Sequence, residues 1–255
     1  MDDRKSRRTI AARCAWQNRR VIPWLRKNTP FPPIETALAE PNGLLAASDN
    51  VTPARLVEAY RRGIFPWYSG DQPVLWWSPD PRMVLFVEEF RISRSLRKRI
   101  KQERWEIRAD TAFRAVITAC ALARRPGQLG TWITPAMIDT YTVLHEQGHA
   151  HSVEAWREGT LAGGLYGVAI GRMFFGESMF ALEPDASKIA LVRLVEILRA
   201  LGCPLIDCQQ ETVHLATFGA RPIPRGQFAE HVAALVHSIP PKDSWTIVTG
   251  SKQGE

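Results

Sequence analysis

The chain has 255 residues, 45% hydrophobic and 23% charged, with 17 Gly and 18 Pro, a composition that excludes collagen-like, low-complexity and wholly disordered classes. Its net charge is +7, and its four cysteines (Cys14, Cys120, Cys203, Cys208) form neither a paired framework nor a C-x-x-C, so a soluble, reduced, cytoplasmic protein is expected. A chain this long buries roughly 70–75% of its unfolded surface without disulfides or metal, and no apolar run reaches the ~18 residues a membrane helix needs.

Charge concentrates at the start. Residues 1–30 hold nine Lys/Arg (Arg4, Lys5, Arg7, Arg8, Arg13, Arg19, Arg20, Arg26, Lys27) against Asp2 and Asp3, which leaves 24 basic and 24 acidic residues elsewhere. This stretch reads as a flexible basic extension, either a solvated tail or an arm that touches RNA. From Phe31-Pro32-Pro33 the pattern tightens. Thr52-Pro53 is an N-cap with proline at the first helical position, and the helix through Leu56, Ala59 and Tyr60 stops at Gly63. Prolines in Gly63–Tyr68 and Trp76–Pro81 predict an aromatic-rich loop without regular structure, and a domain boundary near residue 81. The expected organisation is therefore 1–30 extension, 31–80 small domain, 81–255 larger domain.

Ile92, Leu96 and Ile100 recur every four residues and mark one face of a helix, with Ser93 available as its cap. Arg91, Arg94, Arg97, Lys98, Arg99, Lys101 and Arg104 surround that stripe, as a solvated face or a phosphate-binding one. Thr134-Pro135 opens a second capped helix running to about Gln147, with Gly148 as its stop. Three strands follow (Ser152–Trp156, Leu161–Ala169, Arg172–Phe180), then a helix over 186–200, a strand over Pro204–Gln209 and an amphipathic helix near Gln227–His237. Antiparallel strands, a helix and a further strand make an α+β class.

Several groups could carry chemistry. His145-Glu146-Gln147-Gly148-His149 fits the letters of a zinc motif, but Gly148 falls where the helix should end and His151 is too near to complete a tetrahedral site, so helix-end histidines are expected and no metal. Gly163, Gly164, Gly167 and Gly171 sit in the meander, not at a strand-to-helix turn, and predict close packing or a bulge instead of a phosphate cradle. Asp207 lies between Ile206 and Cys208 in an apolar strand, where an unpartnered carboxylate is costly. Alternation puts Gln209 on its face, so the pair is either an acyl-transfer site or a structural hydrogen bond. Glu177 is a second such carboxylate; Cys208 has no adjacent His to activate it.

The blocks Glu40–Leu45, Gly63–Trp67, Trp76–Arg82, Gly130–Thr134, Gly148–Ser152, Gly176–Phe180 and Ile206–Gln209, in order over about residues 31–240, closely resemble the leucyl/phenylalanyl-tRNA–protein transferases. The resemblance implies a bacterial enzyme that moves Leu or Phe, and by extension Met, from aminoacyl-tRNA onto proteins with N-terminal Arg or Lys, creating an N-degron. It also implies a small N-terminal domain before an N-acetyltransferase-like (GNAT-like) one. By matching motif, Asp207 and Gln209 are catalytic; Trp67 and Trp132, with Tyr60 and Tyr141, hold the terminal adenosine; Glu177 is the site acid. The aminoacyl pocket maps to Leu165, Phe174, Met179, Leu191, Leu194, Leu198 and Ile206, and Arg94, Arg97, Lys98, Arg99 and Lys101 match tRNA-phosphate contacts. Neither cofactor nor membrane is expected, and the protein should be a monomer. The rivals are a tRNA 3′-end-binding module without catalysis and a coenzyme-A-dependent acetyltransferase; the Q/R-x-x-G-x-G/A signature of the latter is missing.

Overall fold

The computed structural model describes residues 22–70, 72–102, 105–123, 131–238 and 245, so the basic residues of 1–20 lie outside what is described. The fold begins earlier than residue 31. Strand β1 (Trp24–Leu25) pairs in parallel with β2 (Leu44–Ser48), Trp24 opposite Ala47, and Leu25 is buried. The last part of the expected extension is thus part of a sheet. Helix α1 (Pro53–Tyr60) begins as its sequence demands, Thr52 Oγ1 accepting the Arg55 N–H at 3.3 Å.

The expected loop over 63–81 is corrected. Phe65–Pro66 forms β3 and Val74–Trp77 forms β4, giving a four-stranded sheet in the order β1-β2-β4-β3. Proline does not prevent this because Pro66 sits on the edge strand, where a missing N–H costs no ladder bond. Trp76 is wholly buried, its Nε1–H donating to Ser48 Oγ at 2.9 Å.

The remaining strands build a seven-stranded sheet: β5 (Arg82–Phe86), then helix α2 (Arg94–Gln102), β6 (Glu106–Ala109), helices α3 (Phe113–Leu122) and α4 (Pro135–Glu146), and the antiparallel meander β7 (Ala150–Arg157), β8 (Thr160–Ile170) and β9 (Met173–Ala181). Helix α5 (Ala186–Ala200) leads to β10 (Leu205–Gln209), a short helix α6 (Val213–Ala216), β11 (Arg221–Ile223) and helix α7 (Arg225–Leu235). The spatial order is β11-β5-β10-β9-β8-β7-β6, with β10 parallel to β9 and antiparallel to β5. The class is mixed α+β. No helix of the described residues is long and apolar enough to cross a membrane.

Period-two alternation divides the larger sheet between two cores. Phe175 and Val168 face α3, α4 and the residues of the first sheet, so both sheets share one core. Phe174, Leu165 and Ile206 face α5 and the Leu96 side of α2. The meander glycines are packing positions: a Cβ at Gly163 would strike Ala186 of α5, and one at Gly167 would strike Phe175 O and the Phe174 ring.

Candidate active site

The site opens where a strand pair ends. Pairing of β10 with β9 runs through Leu205–Met173, Ile206–Phe174 and Asp207–Phe175, and goes no further. Beyond it β9 continues to Ala181, while β10 shifts register against β5 between Asp207 and Gln209, and Gln209 takes a left-handed φ of +62°. The strands part, and a cavity of about 800 Å³ lies between Gly176–Met179 on one and Asp207–Gln210 on the other. The bulge also corrects the expected alternation: Asp207, Cys208 and Gln209 all line this space, and Asp207 and Gln209 aim their side chains at different partners.

Asp207 is fully buried and so is its partner, Arg82 of β5. The guanidinium binds the carboxylate two-pronged, Nε–H to Oδ1 at 2.8 Å and Nη2–H to Oδ2 at 2.6 Å, and lies between the rings of Phe65 and Phe228, each centred 4.6 Å from Cζ. Oδ1 also accepts the Gln209 backbone N–H at 2.9 Å. Both carboxylate oxygens are thus committed within the protein, and the pair holds Gln209 in its unusual backbone conformation. Burial, then the Asp207 charge, pushes the Cys208 thiol well above its ordinary range and disfavours the thiolate that a nucleophile needs.

Glu177 is held differently. It is only partly buried and is met by neutral donors: Tyr60 Oη–H to Oε1 at 2.7 Å, Tyr141 Oη–H to Oε2 at 3.0 Å, and the Gln209 side-chain amide to Oε1 at 2.7 Å. Burial raises its carboxyl from 4.5 to about 7, with the Asp207 charge adding to the rise and the three donors opposing it. Burial, with the Glu177 charge, also raises both tyrosines well above 10, so they stay protonated donors, and their hydroxyls bond to each other. Tyr60 and Tyr141, expected beside the tryptophans at the adenosine, are placed against Glu177. Their rings are wholly covered and their hydroxyls turn to the Glu177 carboxylate.

The other expected residues mostly converge. Trp67 and Trp132 are half-exposed and line the cavity, and Trp67 is braced by Trp77, whose Nε1–H donates to its carbonyl at 2.7 Å. Leu165, Phe174, Met179, Leu191, Leu194 and Ile206 form its apolar wall. Leu198, also expected in the pocket, is buried in the same core behind Leu191 and Leu194 and is not among the residues lining the space. Sequence reading missed Arg82, whose signal was a lone cation opening the apolar run Met83–Phe86. It also missed Ser187 and His214, which line the cavity and carry no periodic signal.

Helix α2 stands apart from the cavity. Leu96 is buried, Ile92 and Ile100 are partly so, and Ser93 Oγ accepts the Leu96 N–H at 3.1 Å. Arg94, Arg97, Lys98, Arg99 and Lys101 are exposed, with Arg99 also paired to Asp185 at 3.0 Å. The zinc-like histidines are engaged elsewhere: His145 bonds Ala150 O at 2.8 Å and stacks on Phe113, and His151 bonds Asp110.

Residues 84–233 match the family described as leucyl/phenylalanyl-tRNA protein transferase, and residues 49–80 match its N-terminal domain. Relatives called leucyl/phenylalanyl-tRNA–protein transferase are similar over most of the chain. That of Nitrosomonas europaea is 59% identical over 84% of this chain and 91% of its own. That of Burkholderia vietnamiensis is 58% identical over 86% and 90%, and that of Aromatoleum aromaticum 55% over 89% and 95%. Among solved structures, L-PGS from Bacillus licheniformis aligns with a TM-score of 0.36 and 11% identity, over 66% of this chain and 54% of that one.

Proposed function

Because the chain belongs to the leucyl/phenylalanyl-tRNA–protein transferase family, whose members are aminoacyltransferases, we propose that its cavity takes the Leu or Phe ester of a charged tRNA and passes the residue to a protein with N-terminal Arg or Lys, making an N-degron. The observation that carries this reading is that an apolar wall, two half-exposed tryptophans and the Glu177–Gln209 pair line one space. In it the side chain sits on Leu165, Phe174, Met179, Leu191, Leu194 and Ile206. Trp67 and Trp132 stack on the terminal adenosine, a contact worth ~1–3 kcal/mol per base, and the cations of α2 meet the phosphates of the acceptor stem.

The ester is already activated, so the enzyme's task is placement, for which effective molarities of order 10⁵–10⁸ M are available. The neutral α-amine of the acceptor attacks the ester carbonyl, a C–N bond forms, and the ribose hydroxyl leaves with the proton that the amine gives up. Gln209 donates its amide N–H to Glu177, which leaves the amide oxygen to accept a hydrogen from the incoming amine. Asp207, committed to Arg82, acts through Gln209 as a positioning residue. Glu177, half ionised near neutral pH, supplies the negative charge that draws in a basic head.

The same reading makes the chain a cytoplasmic monomer with a small domain to about residue 80 and a GNAT-like one after it. The antiparallel β7-β8-β9 meander followed by a helix and a parallel strand supports the latter. The test supplies Leu-tRNA or Phe-tRNA, acetyl-CoA and an Arg-headed peptide together. A peptide longer by one Leu or Phe supports the proposal; an acetylated peptide, or tRNA binding with no product, overturns it.

A further inference from the structure

Trp245 lies past residue 233, where the family match ends, yet its indole reaches the wall of the cavity. It stacks face to face on the His151 imidazole, ring centroids 4.0 Å apart and planes 6° from parallel, and meets the Phe174 ring at 6.0 Å and 38°. His151 is 7% exposed and its ring is fixed: Nδ1 bonds Asp110 Oδ2 at 2.7 Å, while Asp110 Oδ1 accepts the Ser152 N–H at 2.8 Å. Asp110 itself holds a left-handed φ of +58° between β6 and α3. On the cavity side, Phe174 is part of the apolar wall, and its ring lies against the bare backbone of Gly167, where a Cβ would collide with it.

We propose that Trp245 is a specificity-determining residue, which backs Phe174 from behind the wall and so sets how deep a side chain the cavity accepts. The inference rests on the reading of this cavity as the aminoacyl pocket. Asp110 orients His151, His151 presents a flat face, and the indole seated there limits how far Phe174 can retreat from an incoming ring. Removing the indole releases Phe174 and deepens the pocket, which favours the larger Phe side chain over Leu.

The test uses the full chain and 3′-amide-linked leucyl- and phenylalanyl-adenosine, which bind without transferring, with dissociation constants read by calorimetry. Trp245→Ala is expected to shift the Leu-to-Phe ratio toward Phe by about tenfold, the scale that one methylene commands in an apolar pocket. Trp245→Phe should keep the ratio near that of the unaltered chain. His151→Ala should shift it in the same direction as Trp245→Ala, with no further change in the double variant, because both act through one contact. Near-ultraviolet dichroism confirms that each variant is folded, and His151→Ala carries the test if Trp245→Ala is not. An unaltered ratio in the folded variants overturns the role of Trp245 alone. Failure of the unaltered chain to bind either analogue overturns the pocket reading, and this inference with it.

Discussion

The two carboxylates at the parting of β9 and β10 are held in opposite ways. Asp207 is sealed in with a guanidinium that grips both its oxygens, whereas Glu177, on the facing strand, is surrounded by hydroxyls and an amide that carry no charge. A charged partner that grips both oxygens ties a carboxylate into the frame of the fold. Partial burial, opposed by the neutral partners, raises the Glu177 carboxyl to about 7. Two acids that look equivalent in the sequence therefore stand in unlike settings, one paired with a cation and one among neutral donors.

The largest expected effect comes from breaking the first of them. Asp207→Ala leaves Arg82 buried and uncompensated and should cost about 3–5 kcal/mol of stability by denaturant unfolding, with transfer lost. Arg82→Met should do the same from the other side. If Asp207→Ala loses transfer with stability intact, Asp207 touches the substrate and is no part of the frame. The second carboxylate is tested by pH. Ionisation of Glu177 should appear as an inflection near pH 7 in the rate of transfer, absent in Glu177→Gln. Because its folded-state value is raised above 4.5, the folded chain holds the proton longer than the unfolded one. That contribution to stability is present at low pH and is lost as pH rises from about 4.5 through about 7. Glu177→Gln should flatten this fall.

Smaller effects lie away from both acids and sharpen the contrast. Trp67→Ala and Trp132→Ala should each raise KM for aminoacyl-tRNA about tenfold, on the scale of one stacked base, with the melting temperature and the pH inflection unchanged. Charge reversal at Arg97 and Lys98 should lower the salt slope of tRNA binding by about one per removed phosphate contact and leave kcat alone. An unaltered slope removes α2 from the tRNA surface.

What could be read beforehand follows from where each signal resides. Capped helices announce themselves locally: Thr52-Pro53 and Thr134-Pro135 place the starts of α1 and α4 to the residue, and α5 fills the stretch over 186–200. The meander was equally legible, because turns at Gly159 and Gly171 separate runs of strand-like composition. The hairpin of β3 and β4 was not, because a proline on an edge strand and a proline in a loop look alike until the sheet order is known. Long-range pairing defeated the reading of the site. Nothing near Asp207 in the chain points to Arg82, 125 residues away, and nothing near Tyr60 or Tyr141 says that their hydroxyls turn inward to Glu177. The family resemblance brought Asp207, Gln209, Trp67 and Trp132 together by motif, while the bulge that sets Gln209 apart from Asp207 is a property of the strand pairing.

The cavity exists because a parallel strand pair stops after three residues, and part of its apolar wall is carried by an element other than the parted strands. Leu191 and Leu194 stand on α5, whereas Glu177 and Gln209 stand on the parted strands. On the proposed function, exchanges at Leu191 and Leu194 would reshape the pocket without touching the strands that bear Glu177 and Gln209.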